Sequence, residues 1–211
     1  MTAAVVPDDK AGHAEAILVL RRGGIVALPT DTVYGLAADL AAPGSMARLF
    51  AAKRRPVDQA VVLLLADADQ AGELALWPPS ADALAAAFWP GGLTIVVAKR
   101  PETKLPSELT GGRPTVGLRL PDHPAPRALA AALGPLPVTS ANISGMPEAS
   151  DAAQISEQLG EAIDLILDGG PARGGQPSTV VDCSGPETRI LREGAIAVSS
   201  ILECLRAAGL P

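Results

Sequence analysis

Gly24-Ile-Val-Ala-Leu-Pro-Thr-Asp-Thr-Val-Tyr-Gly-Leu-Ala-Ala-Asp39 joins an apolar run to a polar turn. Residues 25–28 carry no charge and begin with two β-branched side chains, which predicts a buried strand. Pro29 has no N–H to donate, so regular pairing is expected to end there. Residues 30–32 then place hydroxyl groups at a strand end, where α/β sheets commonly bind ligands. The alternative is an ordinary strand-to-helix cap, with Thr30 or Asp31 as its N-cap residue.

The composition restricts the class of protein. The chain has 211 residues, of which 48% are hydrophobic and 2% aromatic, so we expect one domain with a core of Ala, Val and Leu. A net charge of −6 argues against a surface that binds nucleic acid throughout. The 2 Cys and 2 His give neither a disulfide framework nor a metal-ligand spacing, so no metal site is predicted. Without a signal peptide or a transmembrane run, we expect a soluble, cytoplasmic protein.

Hydrophobic periodicity predicts helices that alternate with strands. The predicted helices cover residues 14–22, 45–53, 66–76, 80–88, 125–133, 152–159 and the end of 195–210. The predicted strands cover residues 25–28, 61–65, 93–98, 115–120, 165–167 and the run after residue 178. The fold class is therefore α/β, with a single domain at residues 13–208 that follows a flexible N-terminal arm at residues 1–12. His123 lies between prolines and is expected to be exposed.

Lys53, Arg54 and Arg55 end the second predicted helix, which Ser45 can cap. Cations suit a helix C-terminus because they interact favourably with its dipole. Three adjacent cations also repel one another, and a polyanionic ligand would offset that repulsion. On the residues alone, the dipole explanation and a ligand site both stay open.

One predicted strand has a small, polar face that carries an arginine. Thr115, Gly117 and Arg119 alternate with apolar residues, so they lie on the same face of the strand. An arginine on such a face is a candidate functional residue, although a solvated or salt-bridged strand residue is the more usual explanation.

A second polar turn contains Thr139, Ser140, Asn142 and Ser144. This pattern is typical of an anion-binding turn or of an Asx- or ST-turn that satisfies its own backbone. No Cys-His pair, Ser-His-Asp set, paired carboxylates or Walker-type glycine loop accompanies it. Cations and hydroxyls together suit phosphoryl or nucleotidyl transfer, in which the protein positions and neutralises the reactants.

Seven motifs, in order along nearly the whole chain, resemble those of the YrdC-type threonylcarbamoyl-AMP synthases. They are Pro29-Thr-Asp-Thr-Val-Tyr-Gly-Leu36, Lys53-x-Arg-Pro56, Trp89-Pro-Gly-Gly-Leu-Thr94, Val116-Gly-Leu-Arg119, Thr139-Ser-Ala-Asn-x-Ser-Gly145, Pro177-Ser-Thr-Val-Val-Asp182 and Ile190-Leu-Arg-x-Gly194. The resemblance implies a YrdC-like fold, in which helices flank a twisted, mixed β-sheet around a concave, basic cavity.

By this resemblance, the reaction converts L-threonine, bicarbonate (or carbon dioxide) and ATP into threonylcarbamoyl-AMP and diphosphate. Mg²⁺ is expected to arrive with ATP, without a dedicated set of protein ligands. The product would serve the threonylcarbamoyladenosine modification of tRNA, so the expected downstream partners are tRNA threonylcarbamoyl-transfer proteins. Direct binding of tRNA or double-stranded RNA is a further expectation. The chain resembles the short form of the family, without the additional C-terminal domain of longer relatives.

The resemblance also implies roles for individual residues. The residues expected to bind threonine are Thr32, Arg119, Ser140 and Ser178. Those expected to bind ATP are Arg55, Gln59, Thr115, Asn142, Ser150 and Arg192. Lys53 and Arg55 are expected to be catalytic, as cations close to the phosphates.

Two positions depart from the family pattern. Gln59 and Leu64 stand where the family usually has an asparagine and a histidine. Gln59 keeps an amide, whereas Leu64 cannot form a hydrogen bond, so the departure affects amino-acid specificity more than adenylate formation. The alternative functions are a paralogue that makes another carbamoyl-adenylate and a non-catalytic module that binds tRNA or double-stranded RNA. The scarcity of aromatic residues counts against RNA binding, because stacking platforms need rings.

Overall fold

A mixed sheet of ten strands forms the centre of the computed structural model, which describes residues 2–54, 56 and 58–210. The strands are β1 (Ala4–Pro7), β2 (Val26–Leu28), β3 (Gly35–Ala37), β4 (Val62–Leu64), β5 (Leu93–Ala98), β6 (Thr115–Arg119), β7 (Leu136–Ser140), β8 (Leu165–Asp168), β9 (Thr179–Asp182) and β10 (Arg189–Arg192). Their order across the sheet is β1-β8-β2-β3-β7-β4-β6-β5-β9-β10. The pairs β1/β8, β2/β8, β4/β6 and β5/β9 are parallel, and the other pairs are antiparallel. The predicted α/β class with a mixed sheet is confirmed.

Eight helices flank the sheet in the same described part of the chain. They are α1 (Lys10–Arg21), α2 (Ser45–Lys53), α3 (Asp69–Leu74), α4 (Pro79–Phe88), α5 (Ser107–Thr110), α6 (Pro124–Leu133), α7 (Ala152–Leu159) and α8 (Val198–Ala207). Side chains of Asp9 and Asp151 accept hydrogen bonds from the first turns of α1 and α7, which fixes where these helices begin. The predicted cap of α2 is wrong: Gly44 is its N-cap residue, and the Ser45 hydroxyl donates to the Asp39 carbonyl instead.

Successive strand side chains point to opposite faces of the sheet, and the two faces have separate apolar clusters. Leu63, for example, belongs to the larger cluster with side chains of α2, α4, α7 and α8. Leu64 belongs to the smaller cluster with side chains of α1 and α6. The helices on this second side contact β1, β2, β4, β7 and β8. The same face of β6, β5, β9 and β10 borders a cavity, described below.

The N-terminal segment differs from the predicted flexible arm. Ala4–Pro7 forms β1, which pairs in parallel with β8 at one edge of the sheet, and Lys10 already lies in α1. The strand has only 4 residues, of which most are exposed, so neither a long apolar run nor an alternation marks it in the sequence. Its order comes from backbone pairing at a sheet edge, which periodicity does not reveal.

The polar turn after Pro29 leads into a strand and not into a helix. β2 ends at Leu28, as predicted, and β3 then pairs with β2 in an antiparallel arrangement. The Thr30 hydroxyl donates to the Val33 carbonyl at 2.7 Å and accepts from the Thr32 N–H at 3.1 Å. The helix-cap alternative is therefore wrong, and the turn is held by its own side chain.

His123 is buried, with 5% of its surface exposed, in contrast to the predicted exposed position. Its Nδ1 accepts from the Ala125 N–H at the start of α6, and its Nε2 lies 3.9 Å from an oxygen of Asp8. Burial lowers the pKa of His123, and Asp8 opposes that shift.

We expect this buried imidazole to make the protein less stable in mild acid. The unfolded chain takes up the proton first as the pH falls below about 6.5, so the free energy of unfolding decreases from there down to the lower folded-state pKa. His123→Asn keeps a capping acceptor without the titration. Thermal unfolding from about pH 7.5 to about pH 5.5 should lower the Tm of this variant less than that of the wild type. Equal losses of Tm would contradict this explanation.

Candidate active site

A cavity of about 750 Å³ lies on the same face of the sheet as α1 and α6, over the part of that face that these two helices do not cover. Its apolar lining includes Val33, Val62, Leu64, Val96, Val138, Val180 and Leu191. Its polar and charged lining includes Thr30, Thr32, Tyr34, Gln59, Thr94, Arg113, Thr115, Arg119, Thr139, Ser140, Glu148, Ser178, Asp182, Ser184, Arg189 and Arg192. The predicted residues Thr32, Gln59, Thr115, Arg119, Ser140, Ser178 and Arg192 thus border one cavity.

The floor of the cavity is a row of side chains that crosses five strands. Val138 pairs with Val62, Gly117 pairs with Val96, and Val96 pairs with Asp182. A Cβ built on Gly117 would lie 3.7 Å from a methyl group of Val62, which links the two halves of the row. We call these five residues the Gly117 row. It is flat and apolar in the middle and ends at a carboxylate.

The deepest cation of the site is Arg119, which is 6% exposed. Its Nη1 donates to the Thr32 hydroxyl at 2.9 Å, its Nη2 donates to Asp31 at 2.7 Å, and its Nε donates to the Gly91 carbonyl at 2.9 Å. Burial lowers the pKa of Arg119, and the adjacent Asp31 carboxylate opposes that shift. The structure thereby joins Thr32 to Arg119 and adds Asp31 as a partner that the sequence did not indicate. The expected binding of threonine by Thr32 and Arg119 stays a prediction.

A second cluster of contacts joins Ser178 to Arg192. The Ser178 and Thr94 hydroxyls are 2.8 Å apart, and the guanidinium of Arg192 donates to the Ser178 carbonyl at 3.1 and 2.8 Å. The same guanidinium lies 3.2 Å from the Ser178 hydroxyl. Burial lowers the pKa of Arg192, whereas Glu148 raises it. These hydrogen bonds therefore hold Arg192 and Ser178 together at the edge of the cavity.

Lys53 is 1% exposed. It is not among the described residues that border the cavity, and it lies behind the cavity wall. Its ammonium group donates to the backbone carbonyls of Ser140 and Asn142 and, at 3.0 Å, to the Asn142 side chain. The Ser140 hydroxyl also donates to that side-chain oxygen at 2.7 Å. These contacts hold the turn that presents Ser140. The catalytic role of Lys53 and the ATP contact of Asn142 stay predictions.

The remaining predicted residues are distributed differently. Ser150 is exposed, its hydroxyl lies 3.4 Å from Asp151, and it does not border the cavity. Arg55, predicted both to bind ATP and to act in catalysis, lies outside the described residues. Both roles stay predictions.

Sequence reasoning missed several charged residues that border the cavity: Arg113, Glu148, Asp182 and Arg189. Asp182 accepts hydrogen bonds from the Ser184 N–H and hydroxyl and from Arg189. Burial would raise the pKa of Asp182, but the combined hydrogen bonds lower it below its ordinary value. Asp182 ends the motif at residues 177–182, but the sequence does not show which side of this strand borders the cavity, because pairing with β5 decides that.

In residues 2–54, 56 and 58–210, no group of three or more His, Cys, Asp and Glu side chains has the arrangement of a metal site. No helix in those residues has both the length and the apolar character needed to cross a bilayer.

Comparison with known proteins defines the class to which this fold and cavity belong. The family model Sua5/YciO/YrdC, described as "Telomere recombination", matches residues 18–194. The chain belongs to this family.

Individual relatives agree with the family match. The threonylcarbamoyl-AMP synthase of Bacillus subtilis is 37% identical over 190 residues, which cover 89% of this chain and 55% of the relative. That of Chromohalobacter salexigens is 38% identical over 180 residues, which cover 83% of this chain and 94% of the relative.

Solved structures of the family have the same fold. Pyrococcus abyssi Sua5 complexed with L-threonine matches with a TM-score of 0.88 and 34% identity, over 97% of this chain and 60% of that chain. Escherichia coli YciO matches with a TM-score of 0.82 and 27% identity, over 95% of this chain and 98% of that chain. This chain therefore spans less than two thirds of the Sua5 chain.

Lys53→Met should destabilise the protein by about 3 kcal/mol, because it leaves buried carbonyl oxygens without their donor. The exposed Lys104 provides a matched control, and Lys104→Met should change stability by less than about 0.5 kcal/mol. Urea unfolding measures both values. An unchanged stability of Lys53→Met, together with a loss of activity, would favour the catalytic role predicted from the sequence.

Proposed function

We propose that the protein is a threonylcarbamoyl-AMP synthase, which converts L-threonine, bicarbonate or carbon dioxide, and ATP into threonylcarbamoyl-AMP and diphosphate. The observation that carries this proposal is that Thr32, Arg119, Ser178 and Arg192 border one cavity on one face of the sheet. Family membership and relatives named for this activity support it. The product then serves tRNA modification through downstream transfer proteins.

The amino acid occupies the end of the cavity at Arg119. A carboxylate forms charge-assisted hydrogen bonds with a guanidinium, and Arg119 is nearly removed from water, where such bonds are strongest. Asp31 compensates part of the buried charge before the substrate arrives. The hydroxyl groups of Thr32, Thr94 and Ser178 provide donors and acceptors for the polar groups of threonine.

The nucleotide extends from the Gly117 row to Arg192. A planar base suits a flat floor bordered by Val62 and Val96, since no side chain rises from Gly117. Arg192 then faces the phosphates, and the predicted contacts of Gln59 and Thr115 lie along the same cavity. Mg²⁺ enters with ATP as part of the substrate, because this ion commonly binds substrate phosphates and only one or two carboxylates. Glu148 is a carboxylate of the lining that fits this role.

The chemistry requires positioning and charge stabilisation more than covalent catalysis. The threonine amine attacks carbon dioxide and loses a proton, which gives a carbamate. A carbamate oxygen then attacks the α-phosphorus, and the bond to the bridging oxygen breaks to release diphosphate. Arg192 stabilises the charge that develops on the phosphates, and the fixed Arg119 keeps the carbamate within reach.

Pyrophosphate release tests this function directly. Purified protein with ATP, Mg²⁺, bicarbonate and L-threonine should release pyrophosphate, and omission of either threonine or bicarbonate should abolish the release. Release that ignores both compounds would contradict the proposal. Activity only with serine or carbamoyl phosphate in place of threonine would indicate a paralogue, and tight tRNA binding without turnover would indicate the RNA-binding alternative.

Gly117→Ala should impair ATP binding without loss of stability. The added methyl would lie 3.5 Å from Thr94 Cγ2, an ordinary contact, and alanine suits a strand better than glycine. It would nevertheless raise the floor under the base, and we expect affinity for ATP to fall about tenfold or more. Gly72→Ala, which adds a methyl on an exposed helix, is the control. Calorimetric titration with wild-type affinity for Gly117→Ala would exclude this position for the base.

A further inference from the structure

Leu64 is an apolar residue beside Arg119 in the lining of the cavity. It is 2% exposed, borders the cavity, and pairs across the sheet with Arg119 on one side and Leu136 on the other. Neighbouring residues of paired strands place their side chains side by side on the same face. Leu64 therefore lies next to Arg119, whose guanidinium binds Thr32 and Asp31.

The two sides of this end of the cavity differ in chemistry. Thr32 and the Thr94–Ser178 hydroxyl pair offer hydrogen bonds, whereas the Leu64 side chain offers none. A substrate hydroxyl placed against Leu64 would lose its hydrogen bonds to water without replacement, which is unfavourable. A methyl group in the same place would gain contact and leave water. The site thus distinguishes the two substituents of a β-carbon by position.

We propose that Leu64 determines amino-acid specificity by contacting the side-chain methyl group of threonine while the hydroxyl faces the polar side. This inference rests on the proposed function, because it takes the Arg119 end as the amino-acid site. Leu64, which stands where the family usually has a histidine, thereby has a specific role. The site then discriminates against serine, which lacks the methyl, and against L-allo-threonine, which exchanges the positions of methyl and hydroxyl.

Binding of three amino acids tests the proposal without requiring turnover. Calorimetric titration of the whole protein should show that L-threonine binds at least about tenfold more tightly than L-serine or L-allo-threonine. In Leu64→Ala, threonine affinity should fall about fivefold to tenfold while serine affinity stays the same, because only threonine has a methyl to lose contact. Leu64→Val, which removes less volume, should give an intermediate ratio and keeps the test available if the alanine variant does not fold.

Leu136→Ala is the matched control. Leu136 pairs with Leu64 and is equally buried in the cluster beneath α6, but it does not border the cavity. This variant should lose stability and keep the wild-type ratio of threonine to serine affinity. An unchanged ratio in both Leu64 variants, or a matching change in Leu136→Ala, would overturn the assignment.

The same samples separate this inference from the proposed function. If the wild type binds threonine selectively but releases no pyrophosphate, the synthase proposal fails, and the ratios in the Leu64 variants still decide the assignment. If pyrophosphate is released and the ratios do not respond to Leu64, only the specificity assignment fails. Wild-type protein that binds none of the three amino acids would contradict both.

Discussion

The ion pair between the partly buried Asp31 and the buried Arg119 is the interaction on which the site depends. It joins the turn after β2 to the end of β6, two segments that are far apart in the sequence, at 2.7 Å. Two opposite charges at this depth are stable only as a well-bonded pair, and loss of one partner leaves the other uncompensated. Thr32, which accepts from the same guanidinium, is thereby fixed at the amino-acid end. The polar turn and the polar strand face acquire a common function through this contact.

The arrangement of helices explains why a cavity exists beside that pair. α1 and α6 cover one face of the sheet as far as β4, and the alternation of strand side chains continues uncovered over β6, β5 and β9. The uncovered part is lined by valine, glycine, hydroxyl-bearing and charged residues, whereas the covered part is lined mostly by leucines, alanines and valines. The alternation of side chains along the strands therefore forms both the core and the cavity. The cavity is accessible because α1 and α6 do not extend over this part of the sheet.

Local patterns in the sequence were sufficient for some of these features. Pro29 ends β2 because it lacks an N–H, and the alternation in β6 places Thr115, Gly117 and Arg119 on the cavity side. The burial of Lys53 and the backbone pairing of β1 were not predictable in this way, since both depend on segments distant in the sequence. Three adjacent cations look alike in a sequence, and only the turn at residues 140–142 shows that one of them supports the protein interior.

The central claim is that the Asp31–Arg119 pair forms the amino-acid end of a cavity whose other end binds the nucleotide. The most direct measurement is calorimetric titration of an Asp31→Asn, Arg119→Met double variant, which removes both buried charges together and so avoids an unpaired one. The account predicts a folded protein that binds ATP with nearly wild-type affinity and has lost detectable threonine binding. Threonine binding at wild-type affinity in this variant would contradict the account.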